Sequence, residues 1–263
     1  LTNTGKKFAN FTGGFVIYIV TMLCVVPQAF AAGDAKKPES QDWEFQGVFG
    51  KFDKASIKRG LQVYIEVCSS CHSLDQVAYR NLLDIGLTVD ESKAVAEEFE
   101  VTDGPDGEGE MFERPARLSD KFVAPFSNEN AARAANNGAS PPDLSLIAKA
   151  HPGGVDYVYS LLTGFKDEAP EGVELGEDMS YNPYYPGKQI AMAQPLYEDS
   201  VEYPDGTPAT VAQMSWDMAN FLHWTAEPEM EQRKSIGWKV VLFLLVLTAL
   251  LYAAKRQTWS KLH

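Results

Sequence analysis

Cysteine is scarce in this chain: Cys24, Cys68 and Cys71 are the only three in 263 residues. With Cys68 and Cys71 engaged elsewhere and Cys24 in a targeting segment, no thiol is left for a structural disulfide. Histidine is nearly as thin, at four. His151, His223 and His263 stand far from one another and from the cysteines, so a zinc site lacks the further Cys or paired His it requires. Basic charge is also short: 23 Lys and Arg against 36 Asp and Glu give a net charge of -13. That balance argues against nucleic acid and favours a basic partner or simple solubility. No internal repeat is visible, so nothing points to a solenoid.

What is present centres on Cys68-Ser69-Ser70-Cys71-His72. C-x-x-C-H is the pattern by which two thiols add to the vinyl groups of a haem while the adjacent imidazole reaches its iron. A thioredoxin-like dithiol would sit at a strand-to-helix junction, whereas the residues before Cys68 read as helix. A zinc site, a redox dithiol and a chance match are the competing readings of so short a pattern.

Lys6 and Lys7 precede an apolar stretch, 13–30, that runs into Ala29-Phe30-Ala31. This predicts a secretory signal peptide over 1–31, the alternative being a retained anchor. A polar lead-in covers 32–42, and its Asp34–Gln41 part is expected to be mobile in the mature protein. Ile236–Ala254 reads IGWKVVLFLLVLTALLYAA, a transmembrane helix with Trp238 and Tyr252 toward its ends and Lys255-Arg256 beyond. The signal, rather than the balanced flanking charge, sets orientation: an exported domain at 43–228, a charged linker at 229–235, and an inside tail at 255–263.

Within the exported part, Asp53 caps a helix whose apolar positions Ile57, Leu61, Tyr64, Ile65 and Cys68 carry the motif to its end. Gly60 interrupts that helix and marks close approach of another backbone. The expected partner is Thr210–Ala226, opened by a Thr210/Gln213 capping box and closed by Pro228. Further helices are expected at Asp90–Phe99, Asn130–Gly138, Asp143–Ala150 and from Gly153 to about Leu162. The acidic 97–110 segment and the Pro/Gly/Tyr-rich 165–208 stretch read as loop.

An iron that only passes electrons needs a sixth ligand, and a thioether is neutral, soft and raises the reduction potential. Of seven methionines, Met22 lies in the signal, Met230 near the membrane, and Met214 and Met218 in the last soluble helix. Met111 and Met179 stand among carboxylates. Met192 remains, in PYYPGKQIAMAQPLY. The competing ligands are His151 and His223, although His223 reads rather as a hydrogen-bonded core or interface histidine, and His151 as a neighbour of a haem propionate.

From Trp43 to Trp259 the sequence resembles the cytochrome c1 family, the haem subunits of quinol:cytochrome c oxidoreductase. The likeness rests on RGLQVYIEVC, CSSCH, DGPDGEGEMFERPARLSD, AARAANNGASPPDLS, GGVDYVYSLLTGF, YNPYYPGKQIAMAQPLY, DGTPATVAQM and the W-x-A-E-P run at Trp224–Pro228. It implies a mainly α, class I cytochrome c-like haem domain with long loops plus one C-terminal transmembrane helix. It further implies one covalent haem c at Cys68 and Cys71, with His72 and Met192 as axial ligands. Asn136, Asn137, Gly138, Pro141 and Pro142 would line the pocket, and Tyr157 would lie near a propionate. His151 stands where many members carry an arginine, so the potential of this chain is expected to depend on pH if His151 does lie beside the propionates.

The implied chemistry is one-electron relay from a Rieske iron-sulfur subunit to a soluble or anchored cytochrome c, beside a cytochrome b, in a dimeric complex. No catalysis by the chain alone is implied. The membrane is then a bacterial inner membrane with the domain in the periplasm, or a mitochondrial inner membrane facing the intermembrane space. Two other functions fit the motif: a free-standing anchored cytochrome c feeding a terminal oxidase, and a haem enzyme or gas sensor with an open iron site.

Overall fold

The computed structural model describes residues 35–260. The expected signal peptide, with Met22 and Cys24, and the last three tail residues lie outside the described residues. Helix α1 spans Lys54–Glu66, and the Asp53 carboxylate accepts from the Ala55 and Ser56 amides to cap it as expected. Its apolar face, Ile57, Leu61 and Tyr64, is buried. Helix α2, Val89–Glu97, opens with a full capping box between Thr88 and Glu91.

The acidic segment expected as loop is partly a hairpin. Strand β1, Glu100–Asp103, pairs antiparallel with β2, Phe112–Pro115, Val101 facing Arg114 and Asp103 facing Phe112. Arg114 holds the pair closed by bridging the Asp103 and Asp120 carboxylates. Helix α3, Glu129–Ala135, is capped by Asn128. Helix α4 is only Ile147–Ala150, so the helix expected from Asp143 starts a turn late; Asp143 is otherwise engaged, as described below. Helix α5, Gly154–Thr163, buries Tyr157, Val158 and Leu162. Two short strands, β3 at Ser180–Tyr181 and β4 at Gln189–Ile190, pair within the long loop region.

Helix α6, Val211–Ala226, packs on α1 more extensively than any other pair of elements. Gly60 is the crossing point: a Cβ there would lie 2.2 Å from the Asp217 carbonyl oxygen and 2.6 Å from Phe221 Cβ. Beside it the fully buried Asp217 carboxylate accepts from Arg59 Nε at 2.9 Å, Arg59 Nη2 at 3.0 Å and Ser56 Oγ at 2.7 Å. A buried charge paired so completely fixes register rather than adding much net stability. The expected capping box of α6 forms by half: Thr210 accepts from the Gln213 amide, but the Gln213 side chain turns forward to Asp217.

The polar lead-in expected to be mobile is tied down where it is described. Lys36 N donates to Pro183 O at 2.7 Å, Gln41 N to Asp156 Oδ1 at 3.1 Å, and Trp43 Nε1 to the same oxygen at 2.6 Å. Trp43 then stacks on Trp216 at 4.1 Å. Helix α7, Met230–Trp259, is 30 residues long, so about 45 Å at 1.5 Å per residue, against a hydrocarbon core of about 30 Å. Its apolar window is left uncovered by the other described residues, as a membrane anchor requires. The segment expected as a charged linker is helical from Met230, because Arg233 pairs with Glu227 and the Met230 amide bonds Glu227 O at 3.1 Å.

Candidate functional site

The site begins where α1 runs out. The Val67 amide still reaches Val63 O at 3.0 Å, and the next residues tighten into a 3-10 turn, Cys68–Ser70. Cys71 N and His72 N both donate to Cys68 O, at 3.1 and 2.9 Å, which folds the five residues back on themselves. The two serines serve this turn: Ser69 Oγ donates to Ile65 O at 2.7 Å and Ser70 Oγ to Val67 O at 2.9 Å. They satisfy carbonyls that a helix end leaves open. Tyr64 Oη donates to His72 O at 2.9 Å, pinning the far end of the motif to the helix.

Both thiols are free and half-buried. Burial first, then the neighbouring Cys71, pushes the Cys68 thiol up to about 12, so it stays protonated. The His72 Nδ1 lies 2.8 Å from the Pro142 carbonyl. A carbonyl only accepts, so Nδ1 carries the proton and the Nε2 lone pair is left for a metal. Burial lowers the His72 pKa, which favours the neutral ring that metal ligation needs.

Pro142 is held in place by groups that lie outside the C-x-x-C-H motif. Asp143 accepts from Ser73 Oγ at 2.9 Å, Asp75 N at 2.7 Å and Ser145 N at 3.0 Å. Leu144 N donates to Ser73 O at 2.9 Å, and the buried Ser145 Oγ accepts from Gln76 N at 3.0 Å. The loop that carries Pro141-Pro142 is therefore laced to Ser73, Asp75 and Gln76, just after His72. The available signal was Asp143 two residues before Ser145, an Asx-turn spacing directly after two prolines.

The other expected pocket residues fall in two places. Asn136 and Gly138 form the exit of α3: Asn136 Nδ2 donates to Ala132 O at 2.8 Å, Asn137 has φ 50°, and Gly138 has φ 86°. A Cβ on Gly138 would meet nothing within 4 Å, so the space beside this turn is open. Asn137 Nδ2 reaches Asp178 Oδ2 at 3.3 Å, which brings the second acidic segment to the same turn. His151 stacks flat on Tyr157, centroids 3.4 Å apart at 10°, and its Nδ1 lies 2.6 Å from Pro152 O. Tyr157 is buried, and burial, with Tyr185 adding to it, raises its hydroxyl to about 12, so the phenol stays neutral.

Met192 follows β4 and is half-buried between Ile190 and the core residue Leu196. Its loop is fixed by the β3–β4 pair, by Asn182 Nδ2 donating to Leu161 O at 2.8 Å, and by Gln194 Nε2 donating to Leu196 O at 2.7 Å. Met214, Met218 and Met230 are core, and Met111 is 60% exposed. Among the described methionines only Met179 and Met192 are half-buried. His223 is not the hydrogen-bonded residue expected: its ring stacks on Phe45 at 4.0 Å, and its Nδ1 is buried without a partner.

The donor set suits a haem. Two thiols, an imidazole whose Nε2 lone pair is left open and a half-buried thioether, at Met179 or Met192, are donors of the kinds that would hold one covalently. Among the described residues no group of three or more His, Cys, Asp or Glu stands ready to hold a bare ion.

The chain matches the model of the cytochrome C1 family over residues 43–262. It is 53% identical over 219 residues to the mitochondrial cytochrome c1 heme protein of Schizosaccharomyces pombe, covering 83% of this chain and 71% of that one. It is 48% identical over 256 residues to the mitochondrial cytochrome b-c1 complex catalytic subunit of Candida albicans, covering 97% and 88%. A cytochrome b/c1 protein of Bradyrhizobium diazoefficiens is 44% identical over 284 residues, covering all of this chain and 41% of that protein.

Proposed function

This chain belongs to the cytochrome c1 family, an electron-transfer component rather than an enzyme on its own, and we propose that it relays single electrons from a Rieske iron-sulfur protein to a soluble cytochrome c. In this reading Cys68 and Cys71 hold one haem c through thioether bonds, and His72 and Met192 are its axial ligands. The haem supplies a one-electron couple when bound. Everything else is done by the chain. Pro142 fixes the His72 tautomer, the Asp143 knot keeps Pro142 there, and Ile190 and Leu196 keep water from the Met192 side. Asn136, Gly138 and Pro141 line the pocket, with Tyr157 and His151 on the propionate side.

The partners in this reading are a cytochrome b subunit, the Rieske protein and the acceptor cytochrome, in a dimeric complex. The membrane is a bacterial or mitochondrial inner membrane, with the domain in the periplasm or intermembrane space. Exposed carboxylates of 97–110, and those of 167–178 beside the α3 exit, favour a basic acceptor through long-range attraction that salt weakens. Asp103 contributes less, since it is paired with Arg114, a cation it shares with Asp120.

The single observation that carries the reading is the two free thiols folded into one turn with an imidazole whose Nδ1 is already occupied. Met192→Leu tests the ligand assignment. The oxidised protein should lose its methionine-iron absorption band, and the midpoint potential should fall by on the order of 100 mV or more, since axial ligands set potentials over about 0.8 V. An unchanged band and potential would refute Met192.

A further inference from the structure

One apolar surface is left unexplained by electron relay. Val48 and Phe49 are 62% and 78% exposed at the tip of the turn between Trp43 and Asp53. The turn is rigid. Gln46 N donates to Trp43 O at 3.0 Å and Lys51 N to Glu44 O at 3.2 Å. Gly47 takes φ 73°, and a Cβ at Gly50 would lie 2.1 Å from Gln46 O. Phe45 and Phe52, on either side, turn inward onto His223 at 4.0 and 5.8 Å. Apolar residues of the same short segment are thus sorted, two into the core and two out to the surroundings, so the exposure of the tip is built in.

The turn is also bolted to the start of the membrane helix. Lys234 Nζ donates to Phe45 O and to Gly50 O, the latter at 3.5 Å, and Glu231 accepts from Phe52 N at 2.9 Å. Lys234 is two residues, about 3 Å along the axis, from Ile236, where the uncovered apolar surface of α7 begins. The base of the turn is therefore at the level where the apolar surface of α7 begins, and Trp238 stands just beyond it on α7. Aromatic and apolar side chains at that level partition into the headgroup region, and the exposed Lys51 beside them suits lipid phosphates.

We propose that Val48 and Phe49 insert into the headgroup boundary of the bilayer as a second membrane contact. With one helix alone the domain and the α7 start bonded to it could still tilt together in the bilayer. Two points of attachment fix its tilt, and with it the height of the motif above the membrane. The inference rests on the α7 span and not on the assignment of the iron ligands.

The test places a trifluoromethyl-phenylalanine at position 49 of the full chain in phosphatidylcholine/phosphatidylglycerol vesicles. Fluorine relaxation is then measured with dissolved oxygen and with a water-soluble gadolinium chelate. Phe112, another exposed ring but on β2, is the control. The expected result is strong oxygen relaxation at 49 with chelate relaxation several-fold below that at 112. Chelate access at 49 equal to that at 112 would overturn the proposal. So would protection from both reagents once a cytochrome b partner is co-reconstituted, which would mark the tip as a protein contact. Both rings are exposed, so the substitution leaves folding intact.

Discussion

Gly60→Ala adds one carbon at a crossing that has no room for it. That carbon would lie 2.2 Å from Asp217 O and 2.6 Å from Phe221 Cβ, whereas carbon and carbonyl oxygen ordinarily come no closer than about 3.3 Å. Either α1 or α6 must retreat by about 1 Å. The obstacle is backbone, and Asp217 is held by Arg59, Ser56 and Gln213, so local give is small. Overpacking of this kind costs about 3 kcal/mol, the upper part of its usual range. Replacing Gly by Ala inside a helix returns about 1 kcal/mol. The net loss of about 2 kcal/mol lowers the melting temperature by roughly 4–8 °C for a domain of this size. Circular dichroism melts of the detergent-solubilised chain read it directly. Gly107→Ala is the control, since a Cβ there meets nothing within 4 Å, and it should leave the melt unchanged. A Gly60→Ala protein that melts with the parent or above it would mean that the two helices do not touch through their backbones.

His223→Phe should flatten the acid limb of stability. Burial lowers the His223 pKa from 6.5 to about 4 despite the nearby Glu227 carboxylate, with Lys149, Lys234 and Arg233 acting in the same direction as burial. The unfolded chain thus binds more protons between those values, so stability is complete above about pH 6.5 and is lost as pH falls toward 4, by at most about 3 kcal/mol. Denaturant midpoints at pH 7 and pH 5 should converge in the variant, and an equal slope in both proteins would refute the burial argument. Asp143→Ala removes the acceptor for Ser73 Oγ, Asp75 N and Ser145 N, and should cost about 2–3 kcal/mol. It should also shift the haem midpoint potential by freeing Pro142 from His72, with Asp143→Asn intermediate. Loss of stability with an unmoved potential would leave Asp143 a merely structural residue.

The centre of this fold was legible because its signals are local. Cys68 to His72 declare themselves by spacing, Asp53 by its place before an apolar period, and Gly60 by being a glycine where a helix has no use for one. Each depends on a few residues of sequence, and each is found where expected. Signals that failed are those in which a side chain had two possible partners. Gln213 satisfied the spacing of a capping box, but the buried Asp217 carboxylate one turn later outbid the Thr210 amide. Asp143 sat where a helix could begin, yet three donors from the 73–75 and 145 backbone and side chains claimed its carboxylate, and the helix waited until Ile147.

The β1–β2 hairpin was hidden for a related reason. Its four-residue strands carry too few apolar positions to show a period of two against so much acid, and the pairing depends on Arg114 meeting Asp103 and Asp120, 11 and six residues away. Hydropathy likewise found only that part of α7 that lipid would cover. The polar turn from Met230 to Ser235 is helical because of what it is bonded to: Glu227 behind it and, through Lys234 and Glu231, the backbone at Phe45, Gly50 and Phe52. That last set of bonds joins residues about 180 apart in sequence, so no local pattern could announce it. It joins the start of the membrane helix directly to the domain that carries Cys68 to His72, through bonds between residues too far apart for any sequence motif to announce.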